Sequence, residues 1–291
     1  MPETVRPDGA RIHYEVHGEG FPVLLLADGA AGSETASWDE NFYHPVTELS
    51  GRFRVIAVDL RHVGRSTAAP FAPFSYEQHA ADLVAVLDDA GVAEAHVVAA
   101  GSGTAVAWRL AHDAPGRVRS VVAERPVGLD ASNTLGDFLG TYDEPMRYAR
   151  AEGITGVLAA ADRESSFTRN PQAGPYAARL ATDAEFRQEI VASRRERYIV
   201  SLVRHRDGMW PAGSPWFSVP EQWPAGLGRP LLVLAGDGPL SPEGVAKRLA
   251  GEVPGARLLD PGHAHTDRRA DTVVTIVSFL HEHTPAHAED R

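Results

Sequence analysis

No cysteine occurs anywhere in the 291 residues, which removes disulfides, thiolate nucleophiles and Cys-based zinc or iron–sulfur sites; the fold must stand on its core alone. Positive charge is scarce as well. Against 39 Asp and Glu there are 28 Lys and Arg, and the net charge of -11 repels polyanions and disfavours nucleic acid as a partner. The densest basic run, Arg194-Arg195-Glu196-Arg197, reads as a solvated helix face. No apolar run approaches the length that spans a bilayer, and Met1 to Asp8 lacks the basic-then-apolar pattern of a signal segment. A soluble, cytoplasmic protein without a membrane partner is expected. His13, His17, His44, His62 and His79 are scattered without ligand spacing, so neither a metal site nor a cofactor is expected. Internal repeats are missing, and only the tail His281 to Arg291 is markedly polar.

What the chain does have is the balance of an ordinary globular protein, 43% hydrophobic and 23% charged. Short apolar runs bounded by turn residues recur at Val23–Leu26, Val55–Val58, Ala95–Ala99, Ser120–Ala123 and Leu231–Leu234. Runs of this kind suit a parallel sheet buried on both faces. Helical patterns lie between them, such as Gln78 to Ala90 with Leu83, Val84 and Leu87 on one face and Asp82, Asp88 and Asp89 on the other. The alternation predicts an α/β fold, a doubly wound and mostly parallel sheet. It stops after Ala123 and resumes at Pro230, which marks residues 127–225 as a helical cap inserted into a core of residues 1–126 and 226–291. Within the insertion Glu185 to Val203 reads as one long amphipathic helix, ended by the prolines of Met209-Trp210-Pro211 and Pro215-Trp216-Phe217. Trp210, Trp216 and Phe217 either line a substrate pocket or pin the cap to the core.

Ala95 to Ala111 reads strand, tight turn, helix, and Ala99-Ala100-Gly101-Ser102-Gly103 resembles the nucleophile elbow of α/β-hydrolases, usually G-x-S-x-G. The residues two before and two after a nucleophile must be small for the turn to close. Ala99 and Gly103 meet that demand around Gly101, and the following Ala105 to Ala111 matches the helix in the same register. The nucleophile position therefore holds Gly101, and Ser102 falls one residue late. Asp59-Leu60-Arg61-His62-Val63-Gly64-Arg65-Ser66 is similar to the D-x-R-G-x-G-x-S loop of the same superfamily, and the likeness extends to bacterial esterases that act on polyketides. That resemblance implies further site residues. Asp28, Gly29 and Ala30 match a His-Gly-x segment whose third residue gives one oxyanion N–H, with the Ser102 N–H as the other. Pro261-Gly262-His263-Ala264-His265 matches the loop of the general base, which leaves His263 or His265 for that role. Asp237, in a segment one residue short of the usual pattern, and Glu124, at the end of Ser120–Ala123, are rival acids to orient the histidine. Glu124 can equally serve a salt bridge with Arg125 or Arg119.

Glycine offers no nucleophile, so covalent acyl transfer is disfavoured. The leading expectation is non-covalent acid/base chemistry on a small apolar carbonyl compound, a polyketide-like molecule in the esterase resemblance, of cyclase, isomerase or lyase type. His263 would move the proton, and Asp28 or Asp237 would orient it or act as a second acid/base. Hydrolysis by direct water attack or through Ser102 uses the same parts. A protein that binds a small molecule without turning it over is the third possibility. The oligomeric state is not encoded in any recognisable pattern.

Overall fold

The computed structural model describes residues 2–29, 33–69, 71–167 and 169–286. Among these, eight strands form one sheet: β1 (Glu3–Val5), β2 (Arg11–His17), β3 (Pro22–Leu26), β4 (Arg54–Val58), β5 (Ala95–Ala100), β6 (Val118–Glu124), β7 (Leu231–Leu234) and β8 (Arg257–Leu259). Their order is β1-β2-β4-β3-β5-β6-β7-β8, parallel throughout except where β2 pairs antiparallel with β1 and β4. The helices are α1 (Pro45–Leu49), α2 (Tyr76–Asp89), α3 (Ser102–Asp113), α4 (Leu135–Gly140), α5 (Asp143–Arg163), α6 (Ala177–Thr182), α7 (Ala184–Ala192), α8 (Arg195–Met209), α9 (Glu243–Glu252) and α10 (Arg269–Glu282).

The continuous apolar strands follow from burial on both sides. Successive side chains alternate between faces, so Leu24, Ile56, Val97 and Val121 join the core under α2 and α3, while Val23, Val55, Val98 and Val122 join the one under α1 and α10. Each such side chain is worth about 1.5–3 kcal/mol of burial. Between β6 and β7 the regular elements are helices, α4 to α8, with short 3₁₀ turns. Phe138, Tyr142, Tyr198 and Leu202 from these helices belong to the same apolar cluster as α3, which fixes them against the sheet.

Two sequence expectations are corrected. The helix read from Glu185 to Val203 is two, α7 and α8, because the Ser193 hydroxyl and N–H both bond back to Ile190 O and turn the chain extended at Ser193 and Arg194. Val191, near the end of α7, is 56% exposed. Asp82 is not on a solvated face. It is 1% exposed and accepts from Arg61 Nε (2.7 Å) and Nη2 (2.8 Å) and from Arg6 Nε (2.8 Å), a pairing that ties α2 to the loop after β4.

That loop is built around Asp59, whose carboxylate accepts the N–H groups of Thr35 (2.7 Å) and Arg65 (3.0 Å). A Cβ on Gly64 would lie 2.5 Å from Asp59 Cγ, so only glycine fits beside it. His62 stands where the resembling loop carries glycine, at φ +75°. Its ring is 1% exposed and neither ring nitrogen meets a hydrogen-bond partner among the described residues. Burial, with His205, His79, Arg179 and Arg61 nearby, holds its pKa well below the ordinary histidine value.

A histidine whose folded pKa is depressed supports folding above its unfolded value and withdraws that support as pH falls. Urea stability should therefore decline below about pH 6.5, by up to ~1.4 kcal/mol per pH unit for this one proton. His62→Asn keeps a side chain that tolerates the left-handed backbone and should flatten the decline. Equal slopes for the two proteins between about pH 7 and 5 would assign the acid sensitivity elsewhere.

Candidate functional site

The carboxyl ends of β3, β5 and β6 lie side by side, since Leu26 pairs with Ala99 and Ala100 with Glu124. Ligands of parallel α/β sheets bind at such ends. The sharp turn from β5 into α3 falls at Gly101, with φ +49° and ψ -123°, a conformation that glycine adopts without steric cost. The turn is held by Gly101 N–H donating to Glu124 O (2.8 Å) and by the Thr104 hydroxyl donating to Gly101 O (2.6 Å). Gly103 lets α3 approach β3: a Cβ there would sit 2.5 Å from Leu26 O.

Over this turn lies the carboxylate of Asp28. An ideal Cβ on Gly101 would fall 2.0 Å from Asp28 Cγ and Oδ1 and 2.2 Å from Oδ2, so the carboxylate fills the volume that a side chain at residue 101 would need. Its Oδ1 accepts the Ser102 N–H at the start of α3 (3.1 Å), a favourable place for negative charge. The Ser102 hydroxyl donates to the Gly29 carbonyl (2.7 Å) and accepts the Gly29 N–H (3.1 Å), with Asp28 Oδ1 a longer contact at 3.4 Å.

Beside Asp28 stands Arg125, the residue after β6, whose Nη2 is 3.9 Å from Asp28 Oδ2. Its backbone has φ +46°, rare for a residue other than glycine, and its Nη1 donates to Asn41 Oδ1 (2.9 Å). Asn41 Nδ2 donates to Glu124 Oε2 (2.9 Å), and Tyr43 donates to Glu124 Oε1. Glu124 and Tyr43 are fully buried; desolvation pushes both pKa values up.

The other histidine and acid candidates are not assembled around the turn. His263 is 1% exposed, its Nδ1 bonded to Asp260 O (2.8 Å) and not to a carboxylate, with Phe42 edge-on to the ring at 5.3 Å; it does not line the cavity at Gly101. Desolvation lowers its pKa. His265 is exposed, since the 3₁₀ turn Pro261–Ala264 ends before it and the chain leaves extended. Asp237 is exposed too, beside a loop closed by a Gly238–Ser241 bridge. Glu124 is bound to Asn41 and Tyr43 instead of orienting a histidine, and Arg119 donates to His283 O. Ala30 lies outside the described residues.

A cavity of about 420 Å³ opens over Gly101, the size of a small-molecule site. Asp28, Ser102 and Arg125 form part of its floor, and Phe167, Arg169 and Trp210 from the stretch between β6 and β7 line it as well. Trp216 and Phe217 do not line it. The Trp216 indole donates to Glu221 O, and Phe217 packs on Phe138 and Trp210. Glu34 lines the cavity with its carboxyl pKa raised by burial and by Asp59. Arg169 pairs with Glu164 (2.9 Å) and with Glu40 at the exposed rim. Sequence reasoning missed Arg125 and Asn41 as site residues; the available signal was a charged residue following a buried strand, between Glu124 and Pro126. Among the described residues no cluster of three His, Asp or Glu could hold a metal ion.

A family model for the alpha/beta hydrolase fold matches residues 22–267. A protein named for carbamate hydrolysis, RutD of Azorhizobium caulinodans, is 39% identical over 113 residues, 38% of this chain and 40% of its own. The rhodomycin D methylesterase DnrP of Streptomyces peucetius is 37% identical over 111 residues, 38% of this chain and 36% of its own. The chain thus spans about two fifths of the length of these curated relatives. Among solved structures, an enol-lactonase from Burkholderia xenovorans LB400 superposes with a TM-score of 0.62 at 21% identity, covering 96% of this chain and 100% of that one. At that identity the likeness is one of fold.

Gly101→Ser should displace the Asp28 carboxylate from the Ser102 N–H. The cost is about 1–3 kcal/mol of backbone strain plus roughly 1.5–3 kcal/mol for the lost charged hydrogen bond. Adding Asp28→Gly should recover part of that, leaving a coupling of about 1–3 kcal/mol in a urea double-mutant cycle. Additive losses would place the carboxylate elsewhere.

Proposed function

This chain belongs to the alpha/beta hydrolase fold family, and we propose that it hydrolyses a small, largely apolar carbonyl compound of the ester or carbamate class by direct attack of water, without an acyl-enzyme. The observation that carries the reading is the place of Asp28. Its carboxylate occupies the volume above the Gly101 turn, where the fold otherwise presents a reacting side chain. A carboxylate in contact with the cavity can take a proton from water as the water oxygen attacks the carbonyl carbon, and later return it to the leaving group. Gly101 supplies no side-chain nucleophile, and Ser102 Oγ is held by Gly29 on both its donor and acceptor sides. The names of the carbamate hydrolase and methylesterase relatives support hydrolysis over cyclisation or isomerisation. The esterase resemblance supports a polyketide-like natural product as substrate, received under the α4–α8 helices acting as a cap.

A second reading, ligand binding without turnover, is favoured by one observation. His263 has a backbone carbonyl and not a carboxylate on Nδ1, so the usual orientation of a catalytic histidine is missing.

Asp28→Asn, nearly isosteric, should lower kcat on para-nitrophenyl acetate by roughly 10²–10⁴, the range for removing a general base. Ser102→Ala should cost about 1–3 kcal/mol of stability through the unpaired Gly29 groups while turnover stays within about tenfold. A fluorophosphonate should leave the intact mass unchanged. An adduct on Ser102, or wild-type turnover in Asp28→Asn, would overturn water attack through Asp28. Absence of turnover in the native chain on a panel of activated esters and carbamates, with retained affinity for apolar carbonyl compounds, would establish the binding reading.

A further inference from the structure

Water attack places negative charge on the carbonyl oxygen, and the backbone donor nearest the Gly101 turn is already engaged: Ser102 N–H donates to Asp28 Oδ1. A second donor must hold the oxyanion. Arg125 Nη2 lies 3.9 Å from Asp28 Oδ2, too far for a hydrogen bond between them and wide enough for one polar atom to bridge. The Arg125 side chain remains 29% exposed and lines the cavity.

Its position is constructed from several sides. The Arg125 N–H donates to Leu234 O (2.7 Å), which fixes the backbone at φ +46°. Holding a non-glycine residue there costs about 1–3 kcal/mol, a strain that persists only when surroundings enforce it. The side chain is set by the sequence of bonds from Arg125 through Asn41 to Glu124 and Tyr43. Glu124 takes the Asn41 amide NH₂, which leaves the Asn41 oxygen turned to Arg125 Nη1. The reverse amide orientation would set donors against the guanidinium.

We propose that Arg125 is a catalytic residue of this site, its Nη2–H donating to the substrate carbonyl oxygen as that oxygen becomes an oxyanion. The assignment rests on water attack through Asp28. Water loses a proton to Asp28, its oxygen bonds to the carbonyl carbon, and the π pair moves to the oxygen held by Arg125. Collapse of the tetrahedral species expels the alcohol or amine, which takes the proton from Asp28. Arg125 thus replaces a backbone oxyanion donor with a guanidinium, and the charges of Asp28 and Arg125 act on opposite ends of the same step.

Arg125→Gly tests this without straining the fold, because glycine suits the positive φ. The first arm measures binding of ethyl methylphosphonate, an unreactive tetrahedral monoanion, by calorimetry in the Asp28→Asn background, where the carboxylate no longer repels it. Affinity should fall at least about tenfold on adding Arg125→Gly, the scale of one charged hydrogen bond. Equal affinity in the two proteins, or none in either, would overturn the assignment. The second arm follows para-nitrophenyl acetate: Arg125→Gly should lose about 10²–10³ in kcat with KM little changed, and millimolar guanidinium should restore part of it. A raised KM with kcat intact would also overturn it, reducing Arg125 to ground-state binding. Full turnover in Asp28→Asn would sink the water-attack reading by itself, and the phosphonate comparison would still judge Arg125.

Discussion

Nothing larger than a hydrogen atom fits on the α-carbon of residue 101 while Asp28 keeps its carboxylate on the Ser102 N–H. The rest of the site is arranged around that exclusion. The glycine permits the steep turn, the turn aims the start of α3 at the carboxylate, and the carboxylate receives one of the N–H groups that a helix start leaves unpaired. Ser102, which follows the glycine, is drawn to Gly29 on the same β3 extension, so the ends of β3 and β5 are tied together by side chain and backbone alike.

Beneath that contact lies a polar layer that would be expensive if any member lost its partner. Glu124 is completely buried at the end of a central strand, and a lone carboxylate there would be severely disfavoured. Tyr43 and Asn41 each bond one of its oxygens, and Asn41 passes the connection on to Arg125 at the cavity surface. Both helpers come from the stretch between β3 and β4, whereas Glu124 and Arg125 come from β6 and its extension. The layer therefore joins two connections on opposite sides of β5, and the geometry of the cavity floor depends on their mutual position.

Much of the fold was readable because its signals are local. Runs such as Val55–Val58 and Leu231–Leu234 have no polar face, and only strands covered on both sides need that composition. The turn at Gly101 was readable from the small residues Ala99 and Gly103, a steric demand that acts within five residues. The site itself depended on contacts far apart in the chain. Whether Asp28 reaches over residue 101, whether Asn41 meets Arg125, and whether His263 finds a carboxylate are decided by loop paths that no periodicity reports. Asp82 shows the same limit: its place in an amphipathic pattern suggested solvent, and a distant Arg61 drew it inside. The break at Ser193 was hidden because Ala192-Ser193-Arg194-Arg195 carries no proline or glycine to mark it.

The contacts bordering the cavity also differ in their response to the medium. Arg169 and Glu40 meet at the rim with side chains 55% and 43% exposed, whereas Tyr43 and Glu124 are buried. Mobile ions screen an exposed pair over about 8–10 Å at ordinary ionic strength and reach a buried layer far less. Added salt therefore weakens this rim pair more than it weakens the buried Tyr43–Glu124 contact.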